Sequence, residues 1–447
     1  MRMRSAIPAV LAFNVAGYVE AVRAAGRQHL DPALRGRMAE LYEDLQRARF
    51  EDSEKVDDAD RPALHLAELV LETEWQLAAA ATHGYAQRPD PGRKPRVCGK
   101  GYRTYANLRL LNTVLGTRHH SSDQAIERRC WRVVHYLTDS WLRYEQRSQQ
   151  GLETWCQRAM PSTEDMDERV QRLARLVGSL PQPEPPTAPA AGQPPRAWSA
   201  YLGPAGRANT LEYLASLPQT RMHDEYAFLR VLLITEATTW GMVARVMAAV
   251  EWLKAGEWAH AALCLDRACR LAAPQLDALL ILRRTMSVER FLGFRTATGE
   301  ASAIQSIASQ LLQIYLVGVQ PKKLAVLSQA PESTFLLLHL SPSFEPLRKA
   351  LHRLPRQGDA PSRVLATARK LDGQLFQWRR VHLGMAHRYL PKQAAGSGGT
   401  SGASYLQELY EERIFSSSGN LLPQPAPTAL PDHMEQVFAR PPLSPLN

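Results

Sequence analysis

Residues 378–406 read WRRVHLGMAHRYLPKQAAGSGGTSGASYL, and the reading of the whole chain turns on them. The first part has the character of a helix and carries two imidazoles, His382 and His387. It opens into a glycine-rich loop, Gly396-Ser397-Gly398-Gly399-Thr400-Ser401-Gly402, and closes into another helix from Tyr405. A helix bearing an imidazole, followed by a loop whose backbone can approach a ligand closely, can build a cofactor floor and a polar substrate clamp. The same residue types also describe a surface helix, a flexible glycine-serine linker and a final helix. Residue types alone leave both readings open. His387 lies five residues past His382 and so points away from the face that His382 occupies.

Outward from that stretch, the chain reads as helical. Segments 15–25, 33–49 and 62–82 place apolar residues at three- and four-residue intervals. Strand-like alternation is rare. Residues 87–101, QRPDPGRKPRVCGKG, form a loop whose prolines stop any helix. Helical patterning resumes at Tyr105 and runs, with breaks, to about Ser179. The proline-rich stretch PQPEPPTAPAAGQPP, 181–195, is an extended linker. It suggests an N-terminal helical region over 1–180, a linker over 181–199, a second helical region over 200–415 and a loosely ordered tail over 416–447. A polar break over 355–362 precedes the signature helix.

Of the 447 residues, 45% are hydrophobic and 22% charged, enough to bury a substantial core. The formal net charge of +10 comes from arginines spread along helical segments. With no zinc-finger spacing and no arginine-rich arm, that charge is not read as a nucleic-acid footprint. The five cysteines form no CxxC pair, which fits reduced thiols and a cytoplasmic setting. The start, MRMRSAIPAVLAFNVAGYVEAV, loosely imitates a signal peptide, but Asn14 and Glu20 interrupt the apolar run and an amphipathic helix fits better. No later apolar run is expected to reach membrane-spanning length. His260-x3-Cys264 could share one helix face, and reads as core packing. His119-His120 sits in a polar turn, and Trp252 and Trp258 read as packing anchors.

The pattern Trp378-Arg379-x-x-His382, followed by Gly396-Ser397-Gly398-Gly399-Thr400-Ser401-Gly402-x-x-Tyr405-Leu406, resembles the C-terminal signature of the tryptophan 2,3-dioxygenase family. The resemblance implies an all-α helical bundle of that type, here with an additional N-terminal helical region. It implies haem b, with iron on His382 as the proximal ligand and the loop, Gly398 included, against the cofactor. Ser397 stands where the family has threonine and would help hold the amino-acid end of the substrate. Residues 282–306, LRRTMSVERFLGFRTATGEASAIQS, resemble the segment whose arginine grips the substrate carboxylate, which falls on Arg295. An arginine's planar fork of donors suits that task. Phe291 stands where the family has tyrosine, and Glu300, Ala303 and Ile304 also depart from its pattern.

Part of the family's N-terminal region is matched twice. Residues 104–146 carry a Thr-Tyr segment and then His135, with Trp141 six positions on, as around the family's distal histidine. Residues 200–254 keep its His-Asp-Glu opening as His223-Asp224-Glu225, but have Leu232 at the distal position. Either the second copy covers the haem and Leu232 is the distal residue, or the first copy does and His135 is. In the first case Tyr105 would reach the pocket as a neighbouring subunit's residue does in the family, within one chain. Phe228 and Phe291 would line the ring pocket.

The expected activity is therefore oxidation by dioxygen of a small aromatic amino-acid substrate, tryptophan or another indole derivative, as dioxygenation or monooxygenation. No membrane partner is expected, and self-association into a homo-oligomer stays open. The rival reading is a haem-free helical scaffold derived from the same family.

Overall fold

The computed structural model describes residues 6–52, 58–82, 105–116, 123–182, 194–299, 301, 306–318, 345–355, 357–390, 406–407 and 412–423. These residues are all-α: they contain no strand beyond two isolated bridges, Arg158 with Met222 and Phe415 with Leu421. Ser397, Gly398, Glu300, Ala303, Ile304, Cys98 and the His119-His120 pair lie outside the described residues.

The N-terminal helices are α1 (Ala6–Leu11), α2 (Val15–Ala25), α3 (Pro32–Asp52) and α4 (Arg61–Thr82). Asn14, which breaks the apolar run in sequence, is the cap of α2: its side chain accepts from the Gly17 N–H at 3.1 Å. Gly26 ends α2 with φ +80°, where a Cβ would meet the Gln219 carbonyl at 2.6 Å. Only glycine allows that approach, and the Arg27 and Gln28 N–H groups then donate to Pro218 and Gln219. Next come α5 (Leu108–Leu115), α6 (Asp123–Gln149) and α7 (Thr163–Ser179), the last capped by Ser162 with Glu164 and Asp165 in its first turn.

Beyond the proline-rich stretch stand α8 (Gly203–Asn209), α9 (His223–Lys254), α10 (Trp258–Thr285), α11 (Val288–Arg295), α12 (Ile307–Val317), α13 (Leu347–His352) and α14 (Asp359–Tyr389). α14 starts inside the polar break expected over 355–362, because Pro361 falls in its first turn, where a missing N–H costs nothing.

α9 is the centre of the molecule. It packs against α10 on one flank and α6 on another, while α12 and α13 cover it further along. Both principal neighbours run antiparallel to it. Thr238 donates to Gln275 and Gly241 abuts Leu271, while Tyr226 meets Ser140 and Gly241 meets Cys130. α14 lies on α10 and parallel to it, since Cys269 donates to the Thr367 carbonyl and Arg283 meets Gly384 and Arg388. α7 bridges α6 and α10, so helices from both sides of the proline-rich stretch share one apolar core.

Three expectations are corrected here. By length and composition α9 could cross a membrane, although no such run was expected in the sequence. Most of α9 is buried in the core, and its interrupting charges, Arg230, Glu236 and Arg245, are buried with it. Trp252 is not an anchor: it is 40% exposed and stacks on His260 at 4.7 Å. His260 is exposed beside Glu257 at 3.4 Å, whereas Cys264 is buried, so the two do not share a core position. Just ahead of residues 416–447, Ile414 and Phe415 are buried, and Arg413 pairs with Asp372 at 2.8 Å.

Candidate functional site

The His223-Asp224-Glu225 triplet that opens α9 turns all three side chains inward. His223 Nε2 donates to the Glu145 carboxylate at 2.9 Å, and its Nδ1 meets the Tyr144 hydroxyl at 3.1 Å. Arg169, wholly buried on α7, donates to Glu145 at 2.9 Å and to Asp224 at 2.8 Å, and also to Thr285 at the end of α10. Arg290 on α11 completes the set on Asp224 at 2.7 Å and Asp165 at 2.9 Å. Burial alone would raise the Glu145 pKa, but Arg169 and His223 outweigh it and hold it at about 2. Glu225 accepts from the Gln219 and Thr220 N–H groups at 2.9 and 2.7 Å, and burial raises its pKa. The triplet therefore ties five elements together, with its polar atoms occupied by one another.

A different environment lies further along α9. Nearly every residue of this helix is buried, but Phe228, Leu232 and Thr235 keep accessible surface. They fall on one stripe, at intervals of four and three residues. The stripe is closed at one end by Glu225 and at the other by Thr239, both buried.

α14 has a matching window. Its core-facing stripe runs Val364, Ala368, Leu371, Leu375, Trp378, His382, Met385 and Tyr389. Every member is buried except Trp378 and His382, which keep accessible surface. Extended along the helix pairs, the register contacts with α10 bring Leu232 and His382 to the same height, beside Leu280. α11 crosses one end of the intervening space. There the rings of Phe228 and Phe291 lie 6.1 Å apart, Phe228 and Phe294 5.4 Å, and Phe291 and Tyr389 5.0 Å.

Within this recess the His382 ring leans on Trp378, with centroids 5.1 Å apart. Burial pushes its pKa down to about 4, and no carboxylate or hydrogen bond opposes that shift. At neutral pH the ring is an uncharged imidazole, the form that ligates a metal. The Trp378 indole N–H is buried with no acceptor among the described residues. His387 is exposed, as its spacing from His382 requires.

The other residues singled out in the sequence divide sharply. Tyr105 is buried, with its ring 6.4 Å from Phe228 and its side chain beside Glu225. Arg295 ends α11 directly after Phe294, half-buried, and burial lowers its pKa. Tyr105, Phe228, Phe291, Phe294 and Tyr389 thus form one chain of rings, and Arg295 follows Phe294 on α11. His135 does not join them. On α6, the residues that meet α9 include Glu127, Cys130, Ser140, Tyr144 and Glu145. His135 stands roughly 80–180° around the helix from these, at about 100° per residue. Its Nε2 is buried without a partner among the described residues, and burial lowers its pKa against the opposing charge of Asp139. Among the described residues no group of three or more His, Cys, Asp or Glu side chains converges to hold a metal ion. Phe294 and Tyr389 were missed in sequence. Tyr389 was legible as the position seven residues beyond His382 on the same helical face.

The fold and this recess define a class: an all-helical protein whose C-terminal helix presents a neutral imidazole to a space lined by aromatic and aliphatic side chains. Among curated proteins, the tryptophan 2,3-dioxygenases of Bacillus cereus, Bacillus thuringiensis strain Al Hakam and Bacillus anthracis are similar to it. Each is 23% identical over 235 residues, covering 44% of this chain and 84% of the relative. No protein-family model matches the chain. The relation to the tryptophan 2,3-dioxygenases is thus distant, and it covers less than half of this chain.

Proposed function

We propose that the chain is a haem-dependent oxygenase acting on tryptophan, another aromatic amino acid or an indole derivative. The observation that carries this reading is His382: an uncharged ring, unopposed by any charge, set in an apolar recess. The residues present fit a haem. A neutral imidazole is a proper axial ligand, and an apolar slot between facing helices suits a flat macrocycle. α9 and α14 both pack on α10.

His382 would ligate the iron, and the loop glycine Gly398 would lie against the cofactor. Bound there, the haem supplies the iron chemistry that lets dioxygen attack an aromatic ring. The rest falls to the chain's own groups. Phe228 and Phe291 would hold the aromatic ring of the substrate face or edge on, as their mutual geometry holds them. Arg295 would grip the carboxylate with a planar fork, and Ser397 would hold the amino-acid end beside it. Burial of the Arg295 guanidinium, which lowers its pKa, strengthens its attraction to an anion. Tyr105 belongs to the first of the two matched segments, and it would serve the pocket as an in-chain counterpart of a neighbouring subunit's residue.

On this reading the second copy covers the haem. Leu232 is the distal residue and excludes water without offering a proton donor, while His135 on α6 takes no part. The N-terminal region over 1–180 acts as a pseudo-subunit rather than an independent module. The test is aerobic turnover by haem-loaded protein with ferrous iron, analysed by mass spectrometry of the indole products. Addition of one or two oxygen atoms to tryptophan or an indole derivative supports the reading. Protein that takes up haem yet oxidises none of a panel of aromatic amino acids and indoles would leave a haem protein of another kind. Protein that takes up no haem would leave the scaffold reading.

A further inference from the structure

Resting on that reading, we infer that Thr235 supplies the hydrogen-bond donor on the open axial side of the iron, the side where Leu232 has none. Two independent observations lead to this residue. The first is its place. Thr235 is one turn beyond Leu232 on the only stretch of the α9 stripe that keeps surface between Glu225 and Thr239. It is the polar member of that stretch, the others being Phe228 and Leu232.

The second is its hydroxyl. In a helix interior, threonine normally satisfies its hydroxyl on the carbonyl one turn back. Thr73, Thr138, Thr238, Thr239 and Thr285 all do so, at 2.6–2.9 Å. Thr235 makes no such bond, nor any other side-chain hydrogen bond among the described residues. Its backbone carbonyl is instead the acceptor for both Thr238 and Thr239, at 2.9 and 2.6 Å. Two hydroxyls therefore converge on the Thr235 carbonyl while its own hydroxyl is left to whatever occupies the recess. Its height along α9, one turn from the level shared by Leu232 and His382, would set the hydroxyl beside a small ligand bound on that side. Loss of the family's distal histidine would then not leave the pocket without a donor: the donor has moved one helical turn along the same stripe.

The experiment is a fluoride titration of the ferric, haem-loaded protein, read by absorption. Fluoride on ferric iron is a strong acceptor, so its affinity reports donors on the distal side. Thr235→Val removes the hydroxyl and keeps the branched shape, and should weaken fluoride binding about tenfold. Thr235→Ser restores a hydroxyl and should return the affinity to within about threefold of the parent. Should the valine variant not fold, Thr235→Ala carries the same comparison. A folded variant without the hydroxyl that binds fluoride as the parent does overturns the assignment, while the haem reading stands on the parent's own spectrum. A parent protein that shows no Soret band after loading overturns both.

Discussion

The two ends of one window on α9 are built in opposite ways. At the His223-Asp224-Glu225 end, each carboxylate and each guanidinium has a partner: Arg169 serves Glu145 and Asp224, Arg290 serves Asp224 and Asp165, and Glu225 is filled by backbone N–H groups. About three turns further on, polar groups have no partner among the described residues: the Thr235 hydroxyl is unspent, as are the His382 ring and the Trp378 N–H. The first region resembles the dioxygenase family most closely in its letters, yet its chemistry is consumed in holding helices together. A motif kept in sequence can thus be structural.

That contrast breaks most easily at Arg169. Arg169→Met should leave buried Glu145 with only His223 and buried Asp224 with only Arg290, and cost about 3–5 kcal/mol of stability in denaturant unfolding. Adding Glu145→Gln to that variant should recover part of the loss. A cost under about 1 kcal/mol would mean the network is better solvated than its burial implies.

At the other region, substitutions should change binding and leave stability nearly alone. Arg295→Lys should weaken tryptophan binding by about 1.5–3 kcal/mol, because a point ammonium cannot reproduce the bidentate fork. Tryptamine, which lacks the carboxylate, should be almost indifferent. Calorimetry with both ligands decides, and equal losses would place Arg295 outside the clamp.

A smaller effect separates the two matched segments. Leu232→His adds a donor facing the recess and should change ferric azide affinity about tenfold, or about 1.4 kcal/mol. His135→Ala should change it little. If the His135 variant alone moved the affinity that far, the first copy would cover the haem and the assignments would have to be exchanged.

How much of this could be read in advance depends on the range of the interaction concerned. Helix positions came from local periodicity, and 15–25, 33–49 and 62–82 match α2, α3 and α4 to within a few residues. His382 and His387 were separable because helical spacing alone puts them on different faces. Trp252 and His260 misled because periodicity cannot tell an inward tryptophan from one at a helix hairpin's surface. The membrane-length run in α9 was hidden by Arg230, Glu236 and Arg245, which look like solvated breaks until the fold buries them. Pairings such as Arg169 with Glu145 join distant segments and leave no local trace. Thr235 is harder still, since whether a threonine bonds its own helix is a matter of side-chain torsion, not of letters.

The last expected effect is on pH dependence. The His382 pKa is held at about 4 in the folded chain, against about 6.5 when exposed. The unfolded chain therefore takes up this proton first, so the ring's contribution to stability is intact above about 6.5 and is lost as pH falls from there toward 4. In haem-free protein, the parent should lose melting temperature over that window more steeply than His382→Phe. Parallel curves would show that the ring is not desolvated.

The central claim is that His382 holds a haem, and the absorption spectrum of purified protein expressed with added haem precursor tests it most directly. The account predicts a Soret band in the parent and in His387→Ala, and its loss in His382→Ala with helical content and unfolding midpoint close to the parent's. A parent without the band, or a His382→Ala variant that keeps it while His387→Ala loses it, would contradict the account.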